Sequence, residues 1–376
     1  MRELQEMRDE IDEIDRQIVS LYEQRMAVSG EVADYKIANG KQVFDKDRES
    51  RKLQTLSELA SSDFNRTGIQ ELFLQLMSMS RKLQYQKLTE KGALGNLPFI
   101  RLDELPVKGV RVVYQGVPGA YGEKAVINYF GEDSNRFHVA SFREAMLTIA
   151  DGAADYAVLP IENSTAGVVT ENYDMLAEFE NYIIADVNVR VAHCLLGLPG
   201  TSVSELDRVY SHKQALMQCH SWLEAHQRIT PVEVENTAMA AKKVADEGVR
   251  SHAAIASEKS AELYGLEILR DNIMETDENV TRFIIVSNQR VFRKDAQKIS
   301  ISFQIAHEPG SLYRLMSHFI YNGLNMTKIE SRPIPGMKWE YRFFVDFEGN
   351  LADSAVKNAI RGLREEAHNL RILGNY

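Results

Sequence analysis

The feature that most constrains the fold of this chain is its proline-free N-terminal stretch. The first proline is Pro98. Proline costs about 3 kcal/mol inside a helix, so a long stretch without it is typical of a helical domain. Apolar residues here follow the three-and-four spacing of a helix, which predicts one long helix over residues 3–38, ended by Asn39-Gly40. The apolar stripe consists of Met7, Ile11, Ile14, Ile18, Leu21, Val28 and Val32.

Two further helices are predicted in the same stretch. Asp45 is expected to cap a second helix that ends near Ser61-Ser62, and Thr67 with Gln70 forms a capping-box pattern that opens a third. Because helices of such unequal length cannot cover the stripe of the first, we expect a partner helix from a second copy of the chain. The sequence therefore predicts a homodimer or a higher homo-oligomer.

Three cations on the first helix are candidate ligand-binding groups. Arg25 replaces an apolar residue in the stripe, and Lys36 lies on the same face roughly 16 Å along the axis, so the two side chains could hold a small dianion. Arg8 is about 25 Å from Arg25 and about 100° around the helix, so it can serve only a partner's site. The alternative is that all three are solvated surface charges.

Helix 2 begins with Asp45-x-x-Arg48-Glu49, and helix 3 carries Ser80 and Gln84 on one face. With the three cations, this ordered set resembles the active-site pattern of the all-helical chorismate mutases. The resemblance implies an intertwined dimer that rearranges chorismate to prephenate, a unimolecular step without a nucleophile or proton transfer. The implied catalytic residues are Arg25, Lys36, Glu49 and Gln84, with Arg8, Asp45, Arg48 and Ser80 as substrate contacts.

After a linker predicted over residues 91–107, short β-rich runs alternate with helical patterns, which predicts an α/β domain over residues 108–288. Four polar segments stand where strands should end: 116–122, 160–167, 210–214 and 279–283. Ligands of open α/β sheets bind beyond the carboxyl ends of strands, so we expect these segments to meet at one cleft. Each alone could also be a helix cap, with Ser164, Ser211 and Thr237 as the capping residues.

Together the segments GVPGAYG, PIENSTAG, YSHKQ and NVTRF resemble the prephenate dehydratases. The implied fold is two α/β lobes around a cleft, similar to periplasmic binding proteins, with the chain crossing near residues 185–192 and returning near 270. The implied reaction removes carbon dioxide and the ring hydroxyl from prephenate to give phenylpyruvate. Thr281 is the implied catalytic residue, and the implied substrate contacts are Asn163, Ser164, Ser211, Gln218, Thr237, Arg282 and Phe283.

Two residues of this domain stay open. His212 could act as an acid because its side chain titrates near neutrality, or it could be a buried structural histidine. Gly122 stands where the family usually has Ser or Thr, so a hydroxyl contact is absent there.

Residues 297–376 follow a βαββαβ order, which predicts a ferredoxin-like α+β domain. Its segments around 308–312 and 329–333 resemble the phenylalanine-binding motifs of the regulatory ACT domain. The resemblance implies phenylalanine as an effector, and the alternative is a domain that only dimerises. The implied effector contacts are Gly310, Ser311, Leu312, Glu330, Ser331, Arg332 and Pro333.

Charge and composition exclude other classes of function. The chain has net charge −10, and residues 1–90 carry 14 Lys and Arg against 17 Asp and Glu, so no basic half is available for nucleic acid. Every apolar run is far shorter than the roughly 20 residues that span a bilayer, so no membrane partner is expected. The mixed-charge N-terminus predicts a cytoplasmic protein, in which Cys194 and Cys219 are reduced thiols. We expect no cofactor and no metal.

Across essentially its whole length the chain resembles the bifunctional bacterial enzymes that join both activities, with residues 1–90 as the mutase domain and 91–107 as a linker. Two alternatives remain open at this point. One is a prephenate dehydratase whose helical domain only dimerises. The other is a non-catalytic amino-acid-sensing protein, since a two-lobed α/β domain and an ACT domain can both bind ligand without chemistry.

Overall fold

The computed structural model describes residues 2–92, 97–334, 336–337 and 340–376. The chain forms two compact units, Met1–Pro98 with Ile301–Arg371, and Phe99–Ser300 with Ile372–Tyr376. Residues 93–96 of the predicted linker, and Lys338 and Trp339 of a predicted strand, lie outside the described residues.

Three helices make up the N-terminal part of the first unit: α1 (Leu4–Ala38), α2 (Lys46–Ser57) and α3 (Asp63–Glu90). The first matches its predicted span. Asp45 caps α2 as predicted, accepting a hydrogen bond of 3.0 Å from the Arg48 backbone N–H, but the helix ends before the predicted Ser61-Ser62.

The predicted start of the third helix is wrong. Its N-cap is Ser62, whose hydroxyl oxygen accepts from the Asn65 backbone N–H, so the first unpaired N–H groups are satisfied one turn earlier than expected. Thr67 lies within the helix, where its hydroxyl donates back to the Asp63 carbonyl.

The apolar stripe of α1 is largely uncovered within the chain. Ile11, Ile14, Ile18 and Leu21 are 48–64% exposed, whereas the buried residues of α1 are Gly30 and Ala33 near its C-terminal end. The short α2 and the helix α3 therefore cover only one end of α1, as the unequal helix lengths predict.

The second unit contains two larger sheets, which are flanked by helices and joined by two crossings of the chain. One has the strand order β6-β12-β4-β2-β3, with β5 beside β4, and the other β11-β7-β10-β8-β9. A separate parallel pair joins β1 to β13. The strands are β1 (Ile100–Leu102), β2 (Arg111–Gln115), β3 (Asn135–Val139), β4 (Tyr156–Asn163), β5 (Gly167–Val168), β6 (Tyr182–Arg190), β7 (Cys194–Gly197), β8 (Arg208–Ser211), β9 (Thr230–Glu233), β10 (His252–Ala256), β11 (Glu267–Arg270), β12 (Val280–Ser287) and β13 (Val291–Arg293).

The helices of this unit are α4 (Tyr121–Phe130), α5 (Phe142–Ala150), α6 (Thr170–Glu178), α7 (Lys213–Gln218), α8 (His220–Glu224), α9 (Thr237–Glu247) and α10 (Glu258–Tyr264), with a 3-10 turn at Val203–Glu205. The sequence pattern Ser141-x-x-Glu144 predicts a helix N-terminus, and Ser141 does cap α5. The chain crosses between the sheets after Arg190 and returns between Arg270 and Val280. Residues 185–190 thus still belong to β6, so the predicted first crossing is placed too early.

β12 determines where the polar segments meet. It runs antiparallel to both neighbours, β4 and β6, and its register sets Thr281 opposite Asn163. The segment 279–283 therefore begins a strand, whereas the sequence predicts that it ends one. Because the direction of β12 is reversed, its first residues reach the same sheet edge as the last residues of β4.

The C-terminal segment has the strands β14 (Lys298–Gln304), β15 (Met326–Pro333), β16 (Tyr341–Glu348) and β17 (His368–Asn375) and the helices α11 (Ser311–Tyr321) and α12 (Ser354–Glu366). The strand order β15-β16-β14-β17 is that of a ferredoxin-like split βαβ. Within the first unit α12 packs against α3, where the Thr89 hydroxyl donates to the Asn358 side-chain oxygen. The last five residues belong to the second unit, where Gly374 pairs with Ile183 of β6.

Across the described ranges, none of the helices combines the length and the apolar character that a bilayer-spanning segment requires.

Cys194 and Cys219 are both buried free thiols, and burial raises the pKa of each.

Candidate active sites

The first candidate site is a cavity of about 500 Å³ enclosed by α1, α2 and α3. It brings together seven of the eight residues predicted for the mutase pattern: Arg25, Lys36, Asp45, Arg48, Glu49, Ser80 and Gln84. Arg8 is exposed near the start of α1 and is not among the lining residues. This separation agrees with the helical geometry, which places Arg8 out of reach of a ligand held by its own chain.

Arg25 is fixed by α3 from across the cavity. Its guanidinium donates to the Leu76 carbonyl at 2.8 Å and to the Ser80 hydroxyl, which also accepts from Ser29 at 3.1 Å. Lys36 is held in a similar way, since its ammonium donates to the Val43 carbonyl at 2.6 Å. Both cations are thus oriented by neutral oxygen atoms, and neither has its charge neutralised by a hydrogen-bonded carboxylate in these contacts.

The electrostatics of this cavity favour an anion. Burial lowers the pKa of Arg25, and burial together with the neighbouring charge of Arg48 lowers the pKa of Lys36. A lowered pKa of a cation means that the charged form is disfavoured where it stands, so a bound dicarboxylate would relieve both desolvation and repulsion. The buried amide oxygen of Gln84 has no hydrogen-bond partner among the described residues.

Two charged residues of the first cavity were not expected from the sequence. Lys52 of α2 and Arg81 of α3 both line it. Arg81 directly follows Ser80, so its Cα lies about 100° around α3 from that of Ser80. Its guanidinium pairs with Glu49 of α2, which also lines the cavity.

The second candidate site is a cavity of about 410 Å³ between the two sheets of the second unit. Residues from all four predicted polar segments line it, so the expected single cleft is present. Its walls include five of the predicted contacts: Asn163, Gln218, Thr237, Thr281 and Phe283. Apolar walls are added by Val158 and Val191.

A continuous chain of hydrogen bonds crosses this cavity. His193 Nε2 lies 3.1 Å from Gln218 Oε1, and Gln218 Nε2 donates to Thr165 Oγ1 at 2.7 Å. The Thr165 hydroxyl donates to Asn163 Oδ1 at 2.8 Å, and Asn163 Nδ2 donates to Thr281 Oγ1 at 2.8 Å. From Gln218 onward each group in this chain donates to the next, and Thr281 Oγ1 is the final acceptor. This direction leaves the hydroxyl hydrogen of Thr281 available to a ligand.

Three predicted contacts lie elsewhere. Ser211 is fully buried, and its hydroxyl joins β8 to β10 by donating to the Ile255 carbonyl at 2.6 Å. The Ser164 hydroxyl donates to the Glu278 carbonyl at 3.1 Å and so joins the turn after β4 to the segment before β12. Arg282 projects from the opposite face of β12 to Thr281 and pairs with Asp186 at 2.7 Å. None of these three residues is in the lining of the cavity.

The two predicted caps on the helices of this cavity are also displaced by one residue. The N-cap of α7 is His212, whose Nδ1 accepts from the Gln214 backbone N–H, and the N-cap of α9 is Asn236 instead of Thr237. His212 lines the cavity, so it is not a buried structural histidine.

Gly122 also lines the cavity, and a Cβ there would lie 3.1 Å from the Gln115 carbonyl oxygen, so glycine allows α4 to start close to β2.

His193 is the main residue that the sequence analysis missed. It follows β6 at the crossing between the sheets, and its Nδ1 lies 3.2 Å from the Tyr121 hydroxyl, which donates to the Ala192 carbonyl. Burial lowers the pKa of His193 to about 4, so the ring is neutral near pH 7. Its position at a chain crossing was the available signal, but it belongs to no recognised motif.

The predicted effector residues are divided between two places. Gly310 is the N-cap of α11 with φ +76°, a left-handed conformation that favours glycine, and Ser311 lines a cavity of about 400 Å³ with Glu308 and Arg314. Residues 330–333 lie on β15, paired with β16, and are not among the lining residues of that cavity. Residues 330–333 therefore do not contribute to the cavity that Ser311 lines.

Comparison with known proteins agrees with this geometry. Residues 7–85 match the family model of type II chorismate mutase, and residues 112–291 match that of prephenate dehydratase. The bifunctional chorismate mutase/prephenate dehydratase of Aquifex aeolicus is 31% identical over 100% of this chain and 98% of its own length. This chain belongs to the bifunctional chorismate mutase/prephenate dehydratase family.

Two other relatives cover the dehydratase part. Arogenate dehydratase 3 of Arabidopsis thaliana is 36% identical over 83% of this chain and 76% of its own length. The crystal structure of the prephenate dehydratase of Arthrobacter aurescens in complex with L-Phe matches with a TM-score of 0.67 and 31% identity, over 71% of this chain and 89% of that chain. In this bifunctional family member, the first cavity lies within the mutase match and the second within the dehydratase match.

The buried His193 predicts a specific acid sensitivity of the dehydratase unit. Its pKa in the folded chain, about 4, is below its unfolded value near 6.5. The unfolded chain therefore binds more protons between these values, and the stability contributed by neutral His193 is present above pH 6.5 and is lost as the pH falls toward 4. The loss is about 3 kcal/mol at most.

The measurement is the urea unfolding midpoint of the dehydratase unit at pH 7 and at pH 4.5, for the wild type and for His193→Gln. We expect the midpoint of the wild type to fall more than that of the variant. An equal fall in both proteins would contradict the assignment of this sensitivity to His193.

Proposed function

We propose that this chain converts chorismate to prephenate in the first cavity and prephenate to phenylpyruvate in the second, in phenylalanine biosynthesis. The observation that carries the proposal is that each cavity gathers most of its own motif, seven of eight residues in one and residues from all four polar segments in the other. The two chemistries require different groups, and each cavity holds the appropriate kind.

The mutase reaction needs a folded dicarboxylate and a stabilised ether oxygen, because its bond rearrangement is unimolecular. Arg25, together with Arg8 of the partner subunit, holds the two carboxylates. Lys36 and Gln84 donate hydrogen bonds to the ether oxygen, where negative charge grows as its bond to the ring breaks. Glu49 and the backbone near Asp45 receive the ring hydroxyl, while Arg48 and Ser80 complete the wall.

The dehydratase reaction breaks two bonds of prephenate. The electron pair of the bond to the departing carbon dioxide enters the ring, and the ring hydroxyl leaves with its own bonding electron pair. It takes up a proton from solvent to form water. Thr281 donates a hydrogen bond to this hydroxyl, and the hydrogen-bond chain behind it polarises its O–H bond. The apolar walls formed by Phe283, Val158 and Val191 desolvate the carboxylate that leaves as carbon dioxide.

Two variants separate the activities. Arg25→Ala removes a cation that binds the substrate of the first cavity, and we expect kcat/KM for chorismate to fall about 100-fold or more while prephenate turnover is retained. Thr281→Ala should produce the opposite pattern, with a loss of similar size in prephenate turnover. Thr281→Ser keeps the hydroxyl and should stay within about threefold of the wild type.

The assay supplies purified protein with chorismate alone and follows its disappearance and the formation of phenylpyruvate. Undiminished chorismate turnover in Arg25→Ala would favour a helical domain that only dimerises. A wild-type protein without any turnover would favour a binding protein. Prephenate and arogenate are also compared directly, and a higher kcat/KM for arogenate would overturn the choice of substrate.

The functional protein is a homodimer in this proposal, joined through α1. Support comes from the exposed stripe around Ile11, Ile14, Ile18 and Leu21 and from the distance between Arg8 and the cavity of its own chain. Pairing of two α1 helices would bury the stripe and carry each Arg8 to the other chain's site. We also place the protein in the cytoplasm, in agreement with its two buried free thiols.

Charges placed in the stripe should separate the dimer. In Ile14→Glu/Ile18→Glu, buried like charges would face each other across the pair of helices, so we expect a monomer that lacks mutase activity and keeps dehydratase activity. The control is Arg16→Glu/Ser20→Glu, which adds charge on the same helix outside the stripe. Light scattering and both assays distinguish the outcomes, and a monomeric wild type with full mutase activity would refute the dimer.

We further assign the C-terminal βαββαβ segment as an ACT domain that binds phenylalanine and lowers dehydratase activity. Support comes from its strand order, from Gly310 at the start of α11 and from the phenylalanine-complexed relative. Because residues 330–333 do not line the cavity that Ser311 lines, we assign the effector site to the contact between two copies.

Titration with L-phenylalanine tests this regulation. The dehydratase rate should fall as the effector rises, since a ligand that binds one of two conformations more tightly shifts the population toward it. D-phenylalanine has the same ring with its polar groups reversed in space, and it should have little effect. Unchanged rates at saturating L-phenylalanine would rule out the assigned role of the domain.

A further inference from the structure

Arg81 of α3 joins two carboxylates that come from distant parts of the first unit. One guanidinium nitrogen donates to Glu49 of α2, and the other donates at 2.6 Å to Glu366, the last residue of α12. The side chain is 9% exposed, and its guanidinium lies over the Phe44 ring, 4.7 Å from the ring centroid. A planar guanidinium held at both ends in this way has little freedom to move.

The charges of this cluster depend on one another. Burial alone lowers the pKa of Arg81, but Glu49 and Glu366 outweigh it and raise that pKa. Burial alone raises the pKa of Glu366, but His318 and Arg81 outweigh it and hold that pKa at about 2. Removal of one partner would leave a buried charge uncompensated, so the three side chains form one cooperative unit.

Glu49 and Arg81 both line the candidate mutase cavity, and Glu49 is the one that receives the ring hydroxyl in the proposed reaction. We infer that Arg81 is a positioning residue for the mutase site, which fixes Glu49 through a guanidinium that Glu366 of the C-terminal segment holds in place. The inference rests on the proposed mutase function. According to this inference, a residue of the segment 301–371 helps to fix the mutase site that the helices α1–α3 form.

An alternative explanation is that α12 only stabilises α3 by packing. The same pair of helices offers a matched control for this, because Thr89 of α3 contacts Asn358 of α12 two turns from Arg81, and neither residue lines the mutase cavity. Thr89→Val removes this contact with almost no change in side-chain shape. It weakens the packing and leaves the Glu49–Arg81–Glu366 unit intact.

The experiment compares Arg81→Met, Glu366→Gln and Thr89→Val in the full chain, with kcat and KM measured for chorismate. We expect Arg81→Met to lower kcat/KM about tenfold or more, chiefly through a higher KM, because Glu49 loses its hydrogen-bonded partner. Glu366→Gln should change the same parameter in the same direction by about threefold, and Thr89→Val by less than about twofold. Prephenate turnover, measured on the same samples, should be unchanged and reports that the chains are folded.

A double variant tests whether Arg81 acts through Glu49. In the background of Glu49→Gln, Arg81→Met should have almost no further effect on kcat/KM, because the group that it positions has lost its charge. Additive effects would overturn the inference, as would a Thr89→Val loss equal to that of Glu366→Gln or an unchanged Arg81→Met. Absence of chorismate turnover in the wild type would instead refute the proposed function.

Discussion

The side-chain amide of Asn163 organises the dehydratase cavity. Its nitrogen donates to Thr281 and to Asn279, and its oxygen accepts from the Thr165 hydroxyl and from the backbone N–H groups of Thr165 and Ala166. These contacts close the turn after β4 and join it to the first residues of β12, more than 100 positions later in the chain. They are possible only because β12 runs antiparallel to β4, which brings both ends to the same sheet edge.

The mutase cavity depends on a different arrangement, in which two cations are not hydrogen-bonded to carboxylates. Arg25 and Lys36 are oriented by carbonyl and hydroxyl oxygens, so their charges remain available to a substrate. The chain as a whole is acidic, with net charge −10. Net charge therefore says little about the substrate here, because the local potential is set by a few partly buried cations at effective dielectric constants well below that of water.

Sequence reasoning succeeded where one local rule decides the outcome. The span of α1 follows from its apolar periodicity, Asp45 and Ser141 cap their helices, and helical geometry already separates Arg8 from Arg25. It failed where the outcome depends on pairing between distant segments. Arg282 turns away from the cavity because side chains alternate along β12, and the strand direction that decides which face is which comes from β4 and β6.

The remaining errors have the same physical origin. Ser211 looks like a cap in the sequence, but the neighbouring strand β10 offers the Ile255 carbonyl to its hydroxyl, and His212 takes the cap instead. His193 was overlooked because its partners, Tyr121 and Gln218, lie 72 and 25 positions away. Arg81 was overlooked because Glu366 comes from the other end of the chain. Long-range partners of this kind leave no periodic signal in a single sequence.

The buried side-chain amide of Asn279 affects how tightly the dehydratase cavity binds substrate and product. Its amide oxygen accepts from Asn163, while its amide nitrogen is fully buried at the cavity and has no hydrogen-bond partner among the described residues. An unpaired buried donor costs about 1–3 kcal/mol, and a ligand acceptor recovers this free energy only when the side chain turns toward the cavity. In the proposed reaction the substrate loses a carboxylate and a hydroxyl, so the product has fewer acceptors to offer. The cavity would thus hold its substrate more tightly than its product, and the chemistry itself would promote release.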